Sequence, residues 1–209
     1  MPKLMSHSGE TYKESPNMKK LSYLTMHLAA FLALTSFAPA QQQARPQGQG
    51  DQDKLVEIVR NATRQYLNVN NAIAAGYGPV LGCVSGSDHG AMGIHYVNGN
   101  LLNGETLLSN GQLDPTKPQA LIYEPQSNGE LKPVGAEFII FASALPPGAA
   151  PQVDGHLMLY IDGPTASRPK ATPNRYGLPA LFELHVWAWE DNPHGSFVDW
   201  NDHVTCANQ

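Results

Sequence analysis

Beyond residue 80 the chain is a series of short apolar runs separated by Gly, Pro, Asn and Asp, and this pattern limits the folds open to it. Each run has the length of a strand. Asn-Gly pairs, which are typical of tight turns, occur at residues 98–99 and 128–129. No alternation of strands with helices follows, so we do not expect a parallel sheet. The candidate strands are Val80–Ser85, Ala91–Val97, Ala120–Glu124, Ala136–Ala142, His156–Ile161 and Leu181–Trp189.

A helical stripe precedes the strands. Apolar residues from Leu55 onward recur at spacings of three, four and seven, which is one face of a helix. Asp51 or Asp53 is a suitable N-cap, and Gly76 is a suitable residue to end the helix. The sequence therefore predicts a single α+β domain over residues 51–209. In it, one long N-terminal helix of about 20 residues packs on an antiparallel sheet curled into a half-barrel.

The N-terminal segment has the composition of an export signal. Met18 is followed by two lysines, an apolar run over residues 21–37 and the small-residue sequence Ala38-Pro39-Ala40. These are the three parts of a secretory signal peptide. Polar residues interrupt the apolar run, so we expect no stable membrane insertion after cleavage. The expected segments are residues 1–17, an upstream over-extension of the reading frame, residues 18–40, the signal peptide, and residues 41–50, a disordered linker.

Two cysteines, Cys83 and Cys206, lie in the part that would be exported. An even number of cysteines in an exported chain predicts one disulfide bond. This disulfide would close a loop of 123 residues (206 − 83) and would stabilise the fold by about 4–5 kcal/mol. The alternative, a cysteine ligand to a metal, is disfavoured in an oxidising compartment. We expect the protein to be periplasmic or extracellular.

The exported part is acidic, with nine basic and sixteen acidic residues over residues 41–209. It has no cluster of Lys and Arg. Nucleic-acid affinity depends on neutralising phosphates with such residues, so nucleic acid is not an expected partner. The partners we expect are a metal ion or a small molecule.

Side chains able to bind a metal fall on separate strands, each on a definable face. Alternation along a strand places His95 opposite the large apolar residues of its own run, and it places Glu183 on the same face as His185. Two imidazoles and a carboxylate suit Zn, Fe, Cu or Mn. No local motif such as HExxH supports the grouping, so it depends on strand faces alone. The predicted ligands are His95, His185 and Glu137 or Glu183, with His89 as a further candidate.

Other interpretations of the same residues stay open. The histidines fit equally well as half-buried, hydrogen-bonded residues. A metal-free pocket for a small molecule would be lined by Tyr96, Tyr160, Trp187 and Trp189, although indoles more often belong to a core.

Three functions are therefore open. The first is a binding protein for a metal ion or small molecule. The second is a metal-dependent hydrolase or oxygenase with Glu137 or Glu183 as ligand or general base. The third is a structural or partner-binding envelope protein.

Several sequence blocks carry a resemblance to other proteins. Over most of residues 60–206 the chain resembles a group of uncharacterised exported bacterial proteins. The resemblance implies export and a single structural unit, and it implies no activity, cofactor or partner. The group does not require histidine at the position of His89, which leaves His95 and His185 as the better pair. The blocks are AIAAGY, CVS, GAMGIHYVN, LIYEP, GAEF and NRYGLPALFELHVWAWEDNPHGSFVDWN followed by Cys206.

Overall fold

The helical stripe forms two helices instead of one. In the computed structural model, α1 spans Gln47–Thr63, and a 3-10 turn at Arg64–Tyr66 leads to a short helix α2 at Val69–Ala74. The interruption lies at Asn68, whose backbone is extended (φ −94°, ψ 117°) and whose side chain accepts a hydrogen bond from the backbone N–H of Asn70. This is an N-cap. The prediction of one long helix is wrong, because the cap at Asn68 starts a new helix within the apolar stripe.

The two ends of the helical region differ in how well they match the prediction. Helix α1 begins at Gln47, so the last part of the predicted linker over residues 41–50 is helical. Gly76 follows α2 with a φ of +92°, the left-handed conformation that favours glycine at the end of a helix.

The structure describes residues 47–86, 89–165, 167, 169, 174 and 176–209. The predicted over-extension, the signal peptide and the start of the linker lie outside the described residues. Within the described ranges, no helix combines the length and the apolar character needed to cross a membrane.

Nine strands form two sheets in the described part of the chain. They are β1 (Gly78–Ser85), β2 (Ala91–Val97), β3 (Gln112–Leu113), β4 (Ala120–Pro125), β5 (Leu131–Phe141), β6 (Gln152–Val153), β7 (His156–Leu157), β8 (Leu159–Ile161) and β9 (Leu181–Val186). Six of them form a curled antiparallel half-barrel in the order β1-β2-β4-β5-β9-β8. Strands β3, β6 and β7 form a second small sheet. The predicted α+β class with a curled antiparallel sheet is confirmed.

The helices cover one face of the large sheet and form the main core with it. Leu55 and Val59 of α1 belong to the same buried cluster as Tyr123, Phe138 and Val186 of the sheet. Each large apolar side chain removed from water in this way contributes about 1.5–3 kcal/mol. The polar residues collect on the opposite face of the sheet, where Glu137 of β5 and His185 of β9 lie side by side.

A disulfide bond joins Cys83 of β1 to Cys206, as predicted. The two cysteines are 123 residues apart in the sequence. The backbone of Asn201 exchanges two hydrogen bonds of 3.2 Å with that of Ala91, at the start of β2. The C-terminal segment, residues 198–206, is thereby attached to the first two strands of the sheet.

Candidate metal centre

Strand register brings three predicted ligands together on the face opposite the helices. Glu137 of β5 pairs directly with His185 of β9. His95 of β2 pairs with Ile122 of β4, so β4 lies between His95 and Glu137. The β4 residue opposite Glu137 is Ala120. Neighbouring strands are about 4.8 Å apart, and the small side chain of Ala120 leaves space above β4 for the imidazole and the carboxylate to meet.

The three side chains converge in the interior. His95 Nε2 lies 3.4 Å from Glu137 Oε2, and His185 Nε2 lies 3.9 Å from Glu137 Oε1. The two imidazole rings are nearly perpendicular, with centroids 5.8 Å apart. One ligand atom from each of the three residues lies within 4.8 Å of the other two. All three residues are buried, and His185 is fully so.

These separations resemble those between ligands of a common metal ion. Zinc bonds of about 2.0–2.1 Å in tetrahedral geometry place neighbouring ligand atoms about 3.3–3.4 Å apart. A direct hydrogen bond between an imidazolium and a carboxylate is shorter, about 2.7–2.9 Å. The 3.4 Å between His95 and Glu137 matches the metal spacing. The 3.9 Å from His185 is measured to the other carboxylate oxygen, Oε1, so a shared ion would contact both oxygens of Glu137 or would require a small movement of His185.

Two further carboxylates complete the cluster around His185. Asp199 Oδ1 lies 3.5 Å from His185 Nδ1, on the side of the ring away from Glu137. Glu183, on the same face of β9 as His185, forms a second group of potential ligands with His185 and Asp199. The hydroxyl of Tyr176 donates a hydrogen bond of 3.4 Å to Glu183 Oε1. His185 thus has a carboxylate near each ring nitrogen.

The cluster favours the binding of protons when no metal ion is bound. Burial raises the pKa of Glu137 well above its ordinary value, and Glu183 raises it further, while His185 acts in the opposite direction. Burial by itself would lower the pKa of His185, but the carboxylates of Glu137, Asp199 and Glu183 outweigh it and the pKa is raised. Opposite charges nearby and loss of water are the two physical causes. A cation that entered would compete with these protons.

A small cleft with a volume of about 40 Å³ reaches the cluster. A buried water needs about 10–15 Å³ by the same measure, so there is room for at least one. His95, Glu137 and Glu183 contribute to its lining beside Tyr176. The other lining residues are aliphatic: Val80, Leu81, Val97, Ile139, Leu178 and Leu181.

His89 does not join the cluster. It is exposed in the connection between β1 and β2 and lines a surface depression with Gly90, Val204 and Cys206. His89 precedes β2 and lies at the end of the sheet where the disulfide is, so the structure does not bring this candidate ligand together with His95, Glu137 and His185.

The predicted aromatic pocket is not formed, because its tyrosines lie on the other face of the sheet. Tyr96 is buried in the main core, with its ring centroid 5.1 Å from that of Tyr123. Tyr160 lies on the edge strand β8, where it contacts the ring of Phe182 and is 44% exposed. Neither tyrosine lines the cleft that reaches His95.

The two tryptophans also separate. Trp187 is buried near the cluster, with its ring stacked 6.1 Å from that of His185. Trp189 packs against the main core, and its indole N–H donates a 3.0 Å hydrogen bond to Thr63 Oγ1 of α1. Strand β9 ends at Val186, so the alternation that would place Trp189 beside His185 does not continue that far.

Asp199 is the residue that strand faces did not predict. It lies in the irregular C-terminal segment, where no period assigns a side chain to a face. Two bonds position this segment. Trp187 Nε1 donates to the carbonyl of Val198 at 2.6 Å, and Asn192 Nδ2 donates to the carbonyl of Trp200 at 2.8 Å. The sequence offered no signal for Asp199 beyond its neighbour Trp200.

No protein-family model, curated protein or solved structure matches this chain.

Proposed function

We propose that this protein is an exported domain that binds a divalent transition metal ion through His95, Glu137 and His185. The observation that carries the proposal is the buried convergence of two imidazoles and a carboxylate from three different strands. Such a donor set suits Zn, Cu, Fe or Mn. The disulfide between Cys83 and Cys206 supports export, because disulfides persist in oxidising compartments.

The charges around His185 favour a cation. Glu137, Glu183 and Asp199 all influence it electrostatically. Burying carboxylates without compensation is costly, and a protein avoids the cost by neutralising them with protons or with a bound cation. A divalent ion would neutralise two of the negative charges at once.

The donor types narrow the choice of metal. Both cysteines are in the disulfide, so no thiolate is offered and a soft ion is not favoured. Calcium and magnesium take mostly oxygen ligands, whereas this centre supplies two imidazole nitrogens. Zinc and the redox-active ions copper, iron and manganese remain.

The test is metal binding by protein purified with its disulfide intact. We expect wild-type protein to bind one ion of Zn, Cu, Fe or Mn per chain, measured by elemental analysis and titration calorimetry. The double variant His95→Ala, His185→Ala should bind none, because the two imidazoles supply two of the three proposed ligands. His89→Ala is the matched control and should bind as wild type does.

Wild-type protein that stays metal-free after incubation with all four ions would overturn the proposal. That result would favour the structural or partner-binding role instead. Circular dichroism of each variant would show that loss of metal is not loss of fold.

A metal-dependent enzyme is the second candidate function, and the cleft is the observation that favours it. Three protein ligands leave a coordination position open, which is typical of catalytic zinc sites. Glu183 lines the cleft and would be the general base of a hydrolase or oxygenase. An activity that Glu183→Gln abolishes without reducing metal content would support this function, and unchanged activity would exclude Glu183 as the base.

A further inference from the structure

Leu81 lies at the mouth of the cleft in a conformation that disfavours it. Its φ is +62°, the left-handed region, which costs a residue with a side chain of this size about 1–2 kcal/mol. It falls within the irregular register of β1 between Val80 and Val84. Its side chain is 48% exposed, and that of Val80 is 42% exposed. Leucine at this position therefore gains little burial while it carries a backbone cost, and such residues cluster at functional sites.

The cleft combines aliphatic walls with a polar floor. Val80, Leu81 and Leu178 belong to the lining, and His95 and Glu137 lie in the same lining. A ligand that enters would therefore meet apolar side chains first and the metal ligands afterwards. The carboxylates of Glu137 and Glu183 make the floor unfavourable for a simple anion.

We propose that the cleft binds an aliphatic acyl compound, whose oxygen donor takes the open coordination position of the metal centre while its short alkyl chain contacts Val80, Leu81 and Leu178. This proposal rests on the metal centre proposed above. The floor selects an oxygen donor with little net charge, and the walls select an alkyl chain because burying it removes apolar surface from water. The limited volume of about 40 Å³ leaves room for the donor group and places the chain along the walls.

The test uses protein loaded with Co²⁺, whose visible absorption reports changes in coordination. The probes are acetamide, butanamide and hexanamide, neutral acyl compounds that share one carbonyl oxygen donor and differ in chain length. We expect each to change the cobalt spectrum, with affinity rising about three- to fourfold for each added methylene that contacts the walls.

Leu81→Asn is the variant that isolates the wall. Asparagine tolerates the left-handed conformation, so the fold and the metal content should be retained. Acetamide should bind to this variant as it does to wild type, while the gain in affinity per methylene should fall by at least half. Leu157→Asn is the matched control, because Leu157 is 64% exposed and is not part of the lining of the cleft.

The outcomes separate this proposal from the metal centre. Protein that binds neither cobalt nor any of Zn, Cu, Fe and Mn overturns the metal centre and the ligand proposal together; if one of the four binds and cobalt does not, titration calorimetry of the probes against that loaded protein replaces the cobalt spectrum. Protein that binds cobalt, but whose spectrum does not respond to the probes, overturns the ligand proposal alone. So does an equal affinity for all three probes, or a gain per methylene that Leu81→Asn leaves unchanged.

Discussion

At the scale of single residues, His185 connects the two sides of the cluster. Its Nε2 lies 3.9 Å from Glu137, and its Nδ1 lies 3.5 Å from Asp199. Histidines that bind metals commonly donate their second N–H to a carboxylate, which fixes the tautomer and the orientation of the ring. In the proposed metal centre, Asp199 would therefore be the positioning residue that presents Nε2 of His185 to the metal ion.

The change Asp199→Asn tests this role. The amide can still accept the N–H of His185, but it lacks the charge that increases the basicity of the ring. We expect metal affinity to fall about 10- to 100-fold, the range found when such carboxylates are replaced. Titration calorimetry with Zn²⁺ measures the change.

Asp202→Asn is the control for the same segment. Asp202 pairs with the exposed His194 at 2.8 Å and lies apart from the cluster, so its variant should keep wild-type affinity. Equal affinities for the two variants would contradict the role of Asp199, and an altered cobalt spectrum in Asp199→Asn alone would support it.

The raised pKa values of Glu137 and His185 predict how the stability of metal-free protein depends on pH. Each group binds its proton more tightly in the folded state than in the unfolded state. The resulting stabilisation is complete below the ordinary pKa, which is 4.5 for Glu137 and 6.5 for His185. It is lost as the pH rises through the higher folded values. We expect the free energy of unfolding to decrease from about pH 5 to pH 8, measured by urea denaturation in the presence of a chelator.

Two comparisons assign this pH dependence to the cluster. Glu137→Gln removes the buried carboxylate and the attraction that raises the pKa of His185, so its unfolding free energy should vary less between pH 5 and pH 8. Added Zn²⁺ should stabilise wild type most at the upper end of the range, because the ion displaces protons. A wild-type free energy that increases across this range would contradict the prediction.

At the scale of elements, the alternation of side chains along strands was sufficient to predict which ligands share a face. It placed Glu183 and His185 together on β9, and these residues do share a face with Glu137. It could not predict the register between strands, and hence not that Glu137 lies directly opposite His185. Register depends on pairing partners that are distant in the sequence, and no local pattern encodes it.

The errors occur where individual hydrogen bonds interrupt a regular period. The apolar stripe continues through Asn68, but its side chain caps α2 and divides the helix. The alternation of β9 continues in the sequence to Trp189, but the backbone N–H of Trp189 bonds the carbonyl of Val134 and the strand has already ended. In both places a hydrogen bond decides where the helix or strand ends, although the apolar residues continue the pattern. The bond acts at a single position, whereas the apolar pattern is an average over many residues.

At the scale of the whole molecule, the proposed metal centre includes a residue that does not come from a strand. Asp199 belongs to the C-terminal segment, which the disulfide attaches to β1. The same segment contacts β4, where the backbone N–H of Thr205 donates a 2.9 Å hydrogen bond to Glu124 Oε1. The number of cysteines predicted the disulfide. It did not predict that the segment attached by this bond contains the carboxylate beside His185, because Asp199 and His185 meet only in the folded structure.

Removing the disulfide should therefore affect both stability and metal affinity. The variant Cys83→Ser, Cys206→Ser should lose about 4–5 kcal/mol of unfolding free energy, as expected for a loop of this length. At a temperature where the variant remains folded, its affinity for Zn²⁺ should also fall, because a loosened segment holds Asp199 less firmly beside His185. The loss of affinity on removing the disulfide would act through Asp199, so it should not add to the loss caused by Asp199→Asn. In an Asp199→Asn background, removing the disulfide should reduce affinity little further.

Calorimetric titration of the four proteins of this double-mutant cycle with Zn²⁺ measures the coupling. Fully additive losses would mean that the disulfide acts on the metal centre by a route other than Asp199, and an unchanged affinity in the double serine variant would mean that it does not act on the centre at all.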